Sequence, residues 1–257
     1  MKPRALIMAG YGLNCEEETK YAFEKAGGYA DIIHINDLID GVKKLNDYQI
    51  MAFPGGFSYG DDTGSGNAFA QKMKSHLSEK INQFIAKDHL IIGICNGFQI
   101  LVHLGLFPVR FSLTHNNSAR YTVRWVDMKV ENKSPWLQNI NTISLPIAHG
   151  EGKLFADGGA LAALNKKNMV ALRYTKGEIY KYQKLVANPN GSLEDIAGIT
   201  NESGKLLGLM PHPERALFFT NLPHWPYLKE KYLREKKEIP KIGPGLALFK
   251  NAVNYFL

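Results

Sequence analysis

The sequence predicts an α/β protein built on a doubly wound, mostly parallel sheet with helices on both faces, plus antiparallel additions. Two observations predict this fold class. In the first hundred residues, short apolar runs alternate with longer segments of helical periodicity, as in parallel strands joined by crossover helices. Each apolar run is continuous, as expected for strands that are covered on both faces.

Four strands and three helices are predicted in this first part. The strands are residues 6–9, 31–35, 49–53 and 89–94, and the helices are residues 16–26, 67–85 and 96–104. Asn14 precedes three glutamates and is the predicted cap of the first helix. A glycine-rich loop, residues 54–66, follows the third strand.

The second half of the chain predicts antiparallel strands. Residues 121–130 alternate between apolar and polar side chains, and residues 143–148 indicate another strand. Residues 195–200 and 206–210 flank a Glu-Ser-Gly turn and predict a hairpin. The charged run over 227–238 predicts a solvated helix, and residues 245–256 predict a closing helix.

Composition excludes few functions. The chain has 257 residues, a formal net charge of +7 and two cysteines. Two cysteines cannot build a disulfide framework at this length, so we expect a reducing, cytoplasmic setting. The first apolar run is far too short to cross a bilayer, and we expect neither a secretory signal nor a membrane partner. The mild positive charge suits a phosphorylated substrate, an acidic partner or nucleic acid and selects none of them.

One cysteine stands between the fourth strand and the following helix, within G-I-C-N-G at residues 93–97. This pattern is typical of a nucleophile elbow, where flanking glycines allow a tight turn and the nucleophile takes strained backbone angles. The helix N-terminus favours a thiolate, and the next N–H group is placed to meet an oxyanion. The pattern therefore predicts Cys95 as a nucleophile. The alternative is a buried cysteine beside a glycine turn.

A thiol nucleophile needs a base, and the base needs an orienting group. Two of the eight histidines stand in a His-x-Glu pattern, His149 with Glu151 and His212 with Glu214. In an extended segment, residues two apart share a face, so either carboxylate can lie beside its imidazole. His212 follows an apolar strand and has a proline on each side, but spacing alone does not choose between the two pairs.

Several motifs resemble a known family. G-I-C-N-G-F-Q-I-L at 93–101 and P-H-P-E-R at 211–215 resemble the class I, triad-type glutamine amidotransferases. P-G-G-F-S-Y-G-D, P-I-A-H-G-E-G and N-P-N-G-S are similar to motifs of one group within it, the glutaminase subunits of phosphoribosylformylglycinamidine synthase, of purine biosynthesis. The chain departs from this group in A-G-Y-G-L-N-C, in the polar stretch D-D-T-G-S-G-N-A at 61–68, and in residues 217–241.

The resemblance implies a flavodoxin-like fold in a single domain over residues 1–257, with residues 217–241 as a helical insertion. It assigns Cys95 as the nucleophile, His212 as the base and Glu214 as its orienting group. It leaves the His149–Glu151 stretch near the active-site face or a partner interface, with its chemistry open. No metal ligand is implied.

The resemblance also implies the remaining site residues and the activity. Gly55 and Gly56 match the oxyanion loop, where one glycine N–H joins that of Asn96, and Gln99 matches the position that contacts the substrate glutamine. The implied activity is hydrolysis of L-glutamine through a cysteine thioester, with ammonia delivered to a synthetase subunit. ATP and magnesium are expected on that partner, with or without a small bridging subunit, and no cofactor or nucleic acid is expected on this chain.

Three other functions fit parts of the sequence. Gly10 and Gly12 after the first strand, with Asp37 after the second, partly match a dinucleotide fingerprint, but Cys15 stands at the third glycine position. The elbow alone also suits another cysteine hydrolase, and a non-catalytic binding subunit could keep the fold. Cys15 lacks paired glycines and an apparent base, which predicts a structural role. Residues 61–62 are two aspartates without clustered ligands, which predicts a turn or an interface.

Overall fold

The computed structural model describes residues 2–257, which form eleven β-strands and eight α-helices. The strands are β1 (Arg4–Ala9), β2 (Tyr29–His34), β3 (Ile50–Phe53), β4 (Leu90–Ile94), β5 (Ser112–His115), β6 (Thr122–Val130), β7 (Thr142–His149), β8 (Glu151–Phe155), β9 (Val170–Thr175), β10 (Ile196–Thr200) and β11 (Leu206–Leu209). The helices are α1 (Glu16–Lys25), α2 (Ile35–Ile39), α3 (Asn67–Ile85), α4 (Asn96–Leu104), α5 (Gly158–Lys166), α6 (Glu178–Gln183), α7 (Trp225–Arg234) and α8 (Leu246–Asn254). Over the described residues, none of these helices combines the length and the apolar character that crossing a membrane requires.

Nine strands form one sheet in the order β2-β1-β3-β4-β11-β10-β9-β6-β7, and β5 pairs with β8 in a separate ribbon. Neighbours from β2 to β11 run parallel. Neighbours from β11 to β7 run antiparallel. The predicted parallel core with antiparallel additions is therefore confirmed, as is the hairpin of β10 and β11.

The parallel core is buried because helices pack on it in two groups. All residues of β3, β4 and β11 are buried, which explains why their sequences are continuous apolar runs. Helix α1 packs against α8, where the rings of Phe23 and Phe249 meet edge to face at 5.0 Å, and α3 packs against α2 and α4. One apolar cluster extends from Ala5 to Val253. It supports the single domain over 1–257, which stays a prediction.

The carboxyl ends of four parallel strands meet at one edge of the sheet. There β1 leads into residues 10–15, β3 into the glycine-rich loop, β4 into Cys95, and β11 into residues 210–215. Ligands of open α/β sheets bind at this edge. The fold thus brings together four segments that are far apart in the sequence.

All the predicted strands and helices are present, including the charged helix α7, which buries none of its residues. Six elements were not predicted: α2, β5, β8, α5, β9 and α6. Strand β5 has no buried residue and α6 buries only Ile179, so neither carries a clear hydrophobic period.

Several predicted boundaries differ from the structure, where β1 begins at Arg4, β2 begins at Tyr29 and α7 ends at Arg234. One strand end and one helix cap have a clear physical reason. Strand β2 ends at His34 because Ile35 opens α2, whose Asn36 N–H donates to the His34 ring at 3.2 Å. Asn14 does not cap α1. The N-cap residue is Cys15, without a side-chain cap, and the glutamates of the first turn complement the helix dipole instead.

Candidate active site

Cys95 lies at the turn between β4 and α4 with φ +52° and ψ −106°. This strained conformation is typical of a nucleophile elbow, so the predicted strand–turn–helix elbow is confirmed. The glycines are required by close packing. A Cβ at Gly97 would collide with the Phe53 carbonyl oxygen of β3, and one at Gly93 would lie 2.7 Å from the Gly97 carbonyl oxygen. The elbow therefore forms only where α4 can approach the sheet this closely.

His212 follows β11 and reaches the elbow because β11 and β4 are neighbours. The Cys95 N–H donates to the Leu209 carbonyl at 2.8 Å, and the His212 N–H donates to the Pro146 carbonyl of β7 at 2.8 Å. These two bonds fix the histidine backbone between two strands. The His212 ring places Nδ1 2.5 Å from Glu214 Oε1, and both side chains are almost fully buried.

The charges around His212 hold it protonated. Burial alone would lower the pKa of His212, but the charge of Glu214 and then that of Cys95 raise it well above its ordinary value. The thiols of Cys95 and Cys15 also raise this pKa, although His212 Nε2 has no partner at standard hydrogen-bond geometry within residues 2–257. The site therefore favours an imidazolium whose Nε2 is free to exchange a proton.

The second His-x-Glu pair is arranged differently. His149 Nδ1 lies 3.0 Å from Asn116 Oδ1, and burial followed by the charge of His212 lowers the pKa of His149 to about 3. The Glu151 carboxylate turns away, accepting from Ser65 Oγ at 2.8 Å and lying 3.3 Å from His115 Nδ1. His149 is thus a buried neutral imidazole without a carboxylate partner, and only the pair of His212 and Glu214 has the geometry of an oriented base.

The loop after β1 holds the candidate oxyanion loop, Gly55–Gly56, through backbone hydrogen bonds. The N–H groups of Asn14 and Cys15 both donate to the Gly55 carbonyl, each at 3.1 Å, and the Phe57 N–H donates to the Gly12 carbonyl at 2.9 Å. In a trans peptide, the Gly56 N–H points opposite to the Gly55 carbonyl. The loop after β1 therefore fixes the direction of the Gly56 N–H.

Asn96 and Gln99 lie on the first turn of α4 within a buried polar network. Asn96 Oδ1 accepts from the Ser58 N–H at 3.1 Å, and its Nδ2 donates to Asp61 at 3.1 Å and to Gln99 Oε1 at 2.9 Å. Gln99 Nε2 donates to the Glu151 carbonyl at 2.6 Å. Burial raises the pKa of Asp61. This network ties the elbow to the glycine-rich loop and to β8.

The prediction that Cys15 has no base beside it is wrong. Its sulfur, a ring nitrogen of His212 and a carboxylate oxygen of Glu214 lie within 4.8 Å of one another. Arg215 Nη2 donates to the same sulfur at 2.9 Å. Cys15 therefore does lie beside a base. Nothing local in the sequence joined Cys15 to His212 or Arg215.

Comparison with known proteins shows which family the chain belongs to. The sequence model of the CobB/CobQ-like glutamine amidotransferase domain matches residues 2–256. A protein of Methanococcus maripaludis strain C5 named phosphoribosylformylglycinamidine synthase subunit PurQ is 47% identical, with 100% of this chain and 99% of that protein covered. A protein of the same name from Dehalococcoides mccartyi is 44% identical, with 99% and 98% covered.

A solved structure of PurLQS from Thermotoga maritima has the same fold, with a TM-score of 0.74, 32% identity and 100% of both chains covered. The match spans the whole described chain, so it includes the loops that carry the elbow, the His212–Glu214 pair and the glycine-rich loop. The chain belongs to the CobB/CobQ-like glutamine amidotransferase family and, within it, to the PurQ subunits of phosphoribosylformylglycinamidine synthase.

Proposed function

We propose that this chain is the glutaminase subunit of phosphoribosylformylglycinamidine synthase, with Cys95 as nucleophile, His212 as base and Glu214 as its orienting group. The observation that carries the proposal is the Cys95 thiol at a strained elbow beside the buried His212–Glu214 pair. The full-length relatives of that name support the same function.

In the first half of the reaction, the Cys95 thiolate attacks the carboxamide carbon of L-glutamine, and the carbonyl oxygen becomes an oxyanion. The Asn96 N–H and an N–H of the Gly55–Gly56 loop receive it, and each such donor contributes about 10²–10³ in rate. The imidazolium of His212 gives its proton to the leaving nitrogen. The C–N bond breaks, ammonia departs and a γ-glutamyl thioester remains on Cys95.

In the second half, water attacks the thioester carbon while His212 takes a proton from the water. The C–S bond breaks, glutamate leaves, and the thiolate and imidazolium are restored. Glu214 keeps the proton on Nδ1, so Nε2 carries out both transfers. We assign Gln99, on the first turn of α4, to contact the substrate glutamine; its side chain is held by bonds to Asn96 and to the Glu151 carbonyl.

Ammonia then passes to the synthetase subunit, where it converts the amide of formylglycinamide ribonucleotide to an amidine. We place ATP and magnesium on that partner because this sequence contains no G-x-x-x-x-G-K-[ST] phosphate loop. The full-length similarity to a chain of a structure named PurLQS supports a multi-subunit assembly, with a small bridging subunit as a third component. The setting of this pathway is the cytoplasm.

The test is glutamine hydrolysis by the complex of this chain with its synthetase subunit, measured as glutamate released. Cys95→Ala should abolish hydrolysis and glutamine-dependent amidine formation. Amidine formation from added ammonium chloride should persist, because the synthetase does not need the thiol. Full glutamine turnover by Cys95→Ala would refute the assigned nucleophile.

A second measurement separates this function from that of another cysteine hydrolase. A glutamine-like electrophile should label Cys95 in the wild type, and glutamine should protect it. Labelling must disappear in Cys95→Ala and persist in Cys15→Ala. Turnover of simple esters without turnover of glutamine would instead favour the other hydrolase.

A further inference from the structure

Cys15 belongs to the active site through contacts that no motif assigns to it. It is fully buried at the end of the loop after β1, and its sulfur lies within 4.8 Å of ligand atoms of both His212 and Glu214. A Cβ at Gly55 would lie 2.6 Å from His212 Cε1 and 3.3 Å from Cys15 Sγ. The sulfur and the imidazole therefore pack side by side under the glycine loop.

The sulfur is also the anchor of Arg215. A guanidinium has only donors, so the Cys15 sulfur must accept the bond from Arg215 Nη2 at 2.9 Å. Arg215 Nε lies 3.9 Å from Glu214 Oε1. Burial alone would lower the pKa of Arg215, but Cys15 raises it above its ordinary value. Cys15 thus holds a cation behind the carboxylate that orients His212.

The Arg215 side chain has an alternative position toward α1. Its side chain is 40% exposed and borders a cavity of about 580 Å³ that is also lined by Glu17, Glu18 and Tyr21. Glu18 attracts the guanidinium across this cavity. Without the sulfur as acceptor, Arg215 is free to turn toward the glutamates of α1 and away from Glu214.

We propose that Cys15 is a positioning residue for glutamine hydrolysis, whose sulfur packs against the His212 ring and holds Arg215 beside Glu214. The inference rests on the proposed glutaminase function. The backbone of Cys15 also supports this site, because the Cys15 N–H donates to the Gly55 carbonyl of the candidate oxyanion loop. One residue thereby connects the base, its orienting carboxylate and the oxyanion donor.

Replacing Cys15 should change the pH dependence of kcat/KM for glutamine hydrolysis. Several groups face this cluster and share its electrostatics: Glu214 and Arg215 on the same segment, Cys95 at the elbow, His149 at the end of β7, Tyr121 before β6 and Glu18 on α1. In addition to these groups, Cys15 itself raises the pKa of His212. Loss of the sulfur should therefore lower that pKa. Because ammonia departs only when His212 is protonated, the basic limb of kcat/KM should move to lower pH in Cys15→Ala.

The test measures glutamine hydrolysis by the complex with the synthetase subunit across pH. Cys15→Ala should lower kcat/KM about tenfold and shift its basic limb to lower pH. Cys15→Ser keeps an acceptor for Arg215, so its kcat/KM and its basic limb should lie between those of the wild type and Cys15→Ala. Thr19→Val is the matched control. Thr19 Oγ1 donates to the Cys15 carbonyl at 2.7 Å, so this variant disturbs the same loop without touching the sulfur, and its basic limb should stay in place.

A double-mutant cycle with the half-exposed Arg215 keeps the test decisive if Cys15→Ala folds poorly. Arg215→Gln should lower kcat/KM, and in a Cys15→Val background, which fills the space of the sulfur but offers no acceptor, it should cost markedly less than in the wild type. Additive losses, or an unmoved basic limb in Cys15→Ala, would overturn the inference. If hydrolysis by the wild-type complex does not depend on Cys95, the proposed function itself fails. If it depends on Cys95 but the cycle shows no coupling, only the role of Cys15 fails.

Discussion

At the scale of single residues, the two His-x-Glu pairs show how partners decide the chemistry of a histidine. Both imidazoles are almost fully buried; His149 is the last residue of β7, and His212 follows β11 of the same sheet. His212 has a carboxylate at Nδ1 and a thiol nearby, which raise its pKa. His149 has an amide oxygen at Nδ1, and burial lowers its pKa. Burial is common to both, so the charge of the neighbour determines the protonation state.

Glu214→Gln should reduce glutamine hydrolysis by at least about 100-fold, because the neutral amide neither fixes the tautomer nor stabilises the imidazolium. Since the Glu214 charge raises the pKa of His212, the basic limb of kcat/KM should also move to lower pH. The measurement is a pH profile of glutamate release. Glu151→Gln is the matched control, because its carboxylate contacts Ser65 and His115 rather than His149. An equal limb shift in both variants would contradict this assignment.

His149 should make the protein sensitive to acid. Its pKa is about 3 in the folded state and near 6.5 in the unfolded chain, so the unfolded state takes up the proton as pH falls below 6.5. Its contribution to the free energy of unfolding is present above pH 6.5 and should fall by about 2 kcal/mol by pH 5. Urea unfolding at pH 7 and pH 5 should show a smaller acid loss in His149→Gln. His76→Gln, at an exposed position of α3, should leave the acid loss unchanged.

At the scale of elements, the site depends on how closely α4 approaches the sheet. Gly93 and Gly97 let the first turn of α4 contact β3 and β4, and Gly208 makes room in β11 for the ring of Phe98. The close approach places the N-terminus of α4, with its free N–H groups, directly behind the Cys95 thiol. These glycines therefore allow the whole of helix α4 to pack close to the sheet; their role is not to make a loop flexible.

Gly97→Ala should destabilise the protein by about 3 kcal/mol or more, because the new methyl group would collide with the Phe53 backbone, which cannot move without shifting β3. Thermal and denaturant unfolding measure this cost. Gly158→Ala is the control, since a Cβ there at the start of α5 has no atom within 4 Å. A loss below 1 kcal/mol for Gly97→Ala would contradict the close packing.

At the scale of the whole molecule, strand order assembles the site. The sheet places β11 beside β4, although more than one hundred residues separate them, and β3 on the other side of β4. Antiparallel β7 adds the Ala148 carbonyl, 3.6 Å from the Cys95 sulfur. The residues beyond the parallel core therefore also contribute contacts to the site.

The isolated chain should hydrolyse glutamine weakly, because free ammonia production is wasteful without a synthetase to consume it. We expect addition of the synthetase subunit to raise glutamate release by at least about tenfold, by completing or reorienting the oxyanion donors. Steady-state assays of the chain with and without the synthetase measure this. Equal rates in both would contradict a partner-controlled site, and the Cys95→Ala chain supplies the background rate.

The sequence by itself determined the elements whose apolar pattern is local: the parallel strands, the hairpin of β10 and β11, α7, and the elbow around Cys95. Its motifs also indicated the family. It did not reveal β5 or α6, because neither has a hydrophobic face to detect.

Only the tertiary structure decided which side chains meet. It separated the carboxylate of Glu151 from His149, joined Glu214 to His212, and placed Arg215 on the sulfur of Cys15, 200 residues away along the chain. The physical reason is that these contacts depend on strand order in the sheet. A neighbouring strand end can come from any part of the chain, so local periodicity carries no information about it.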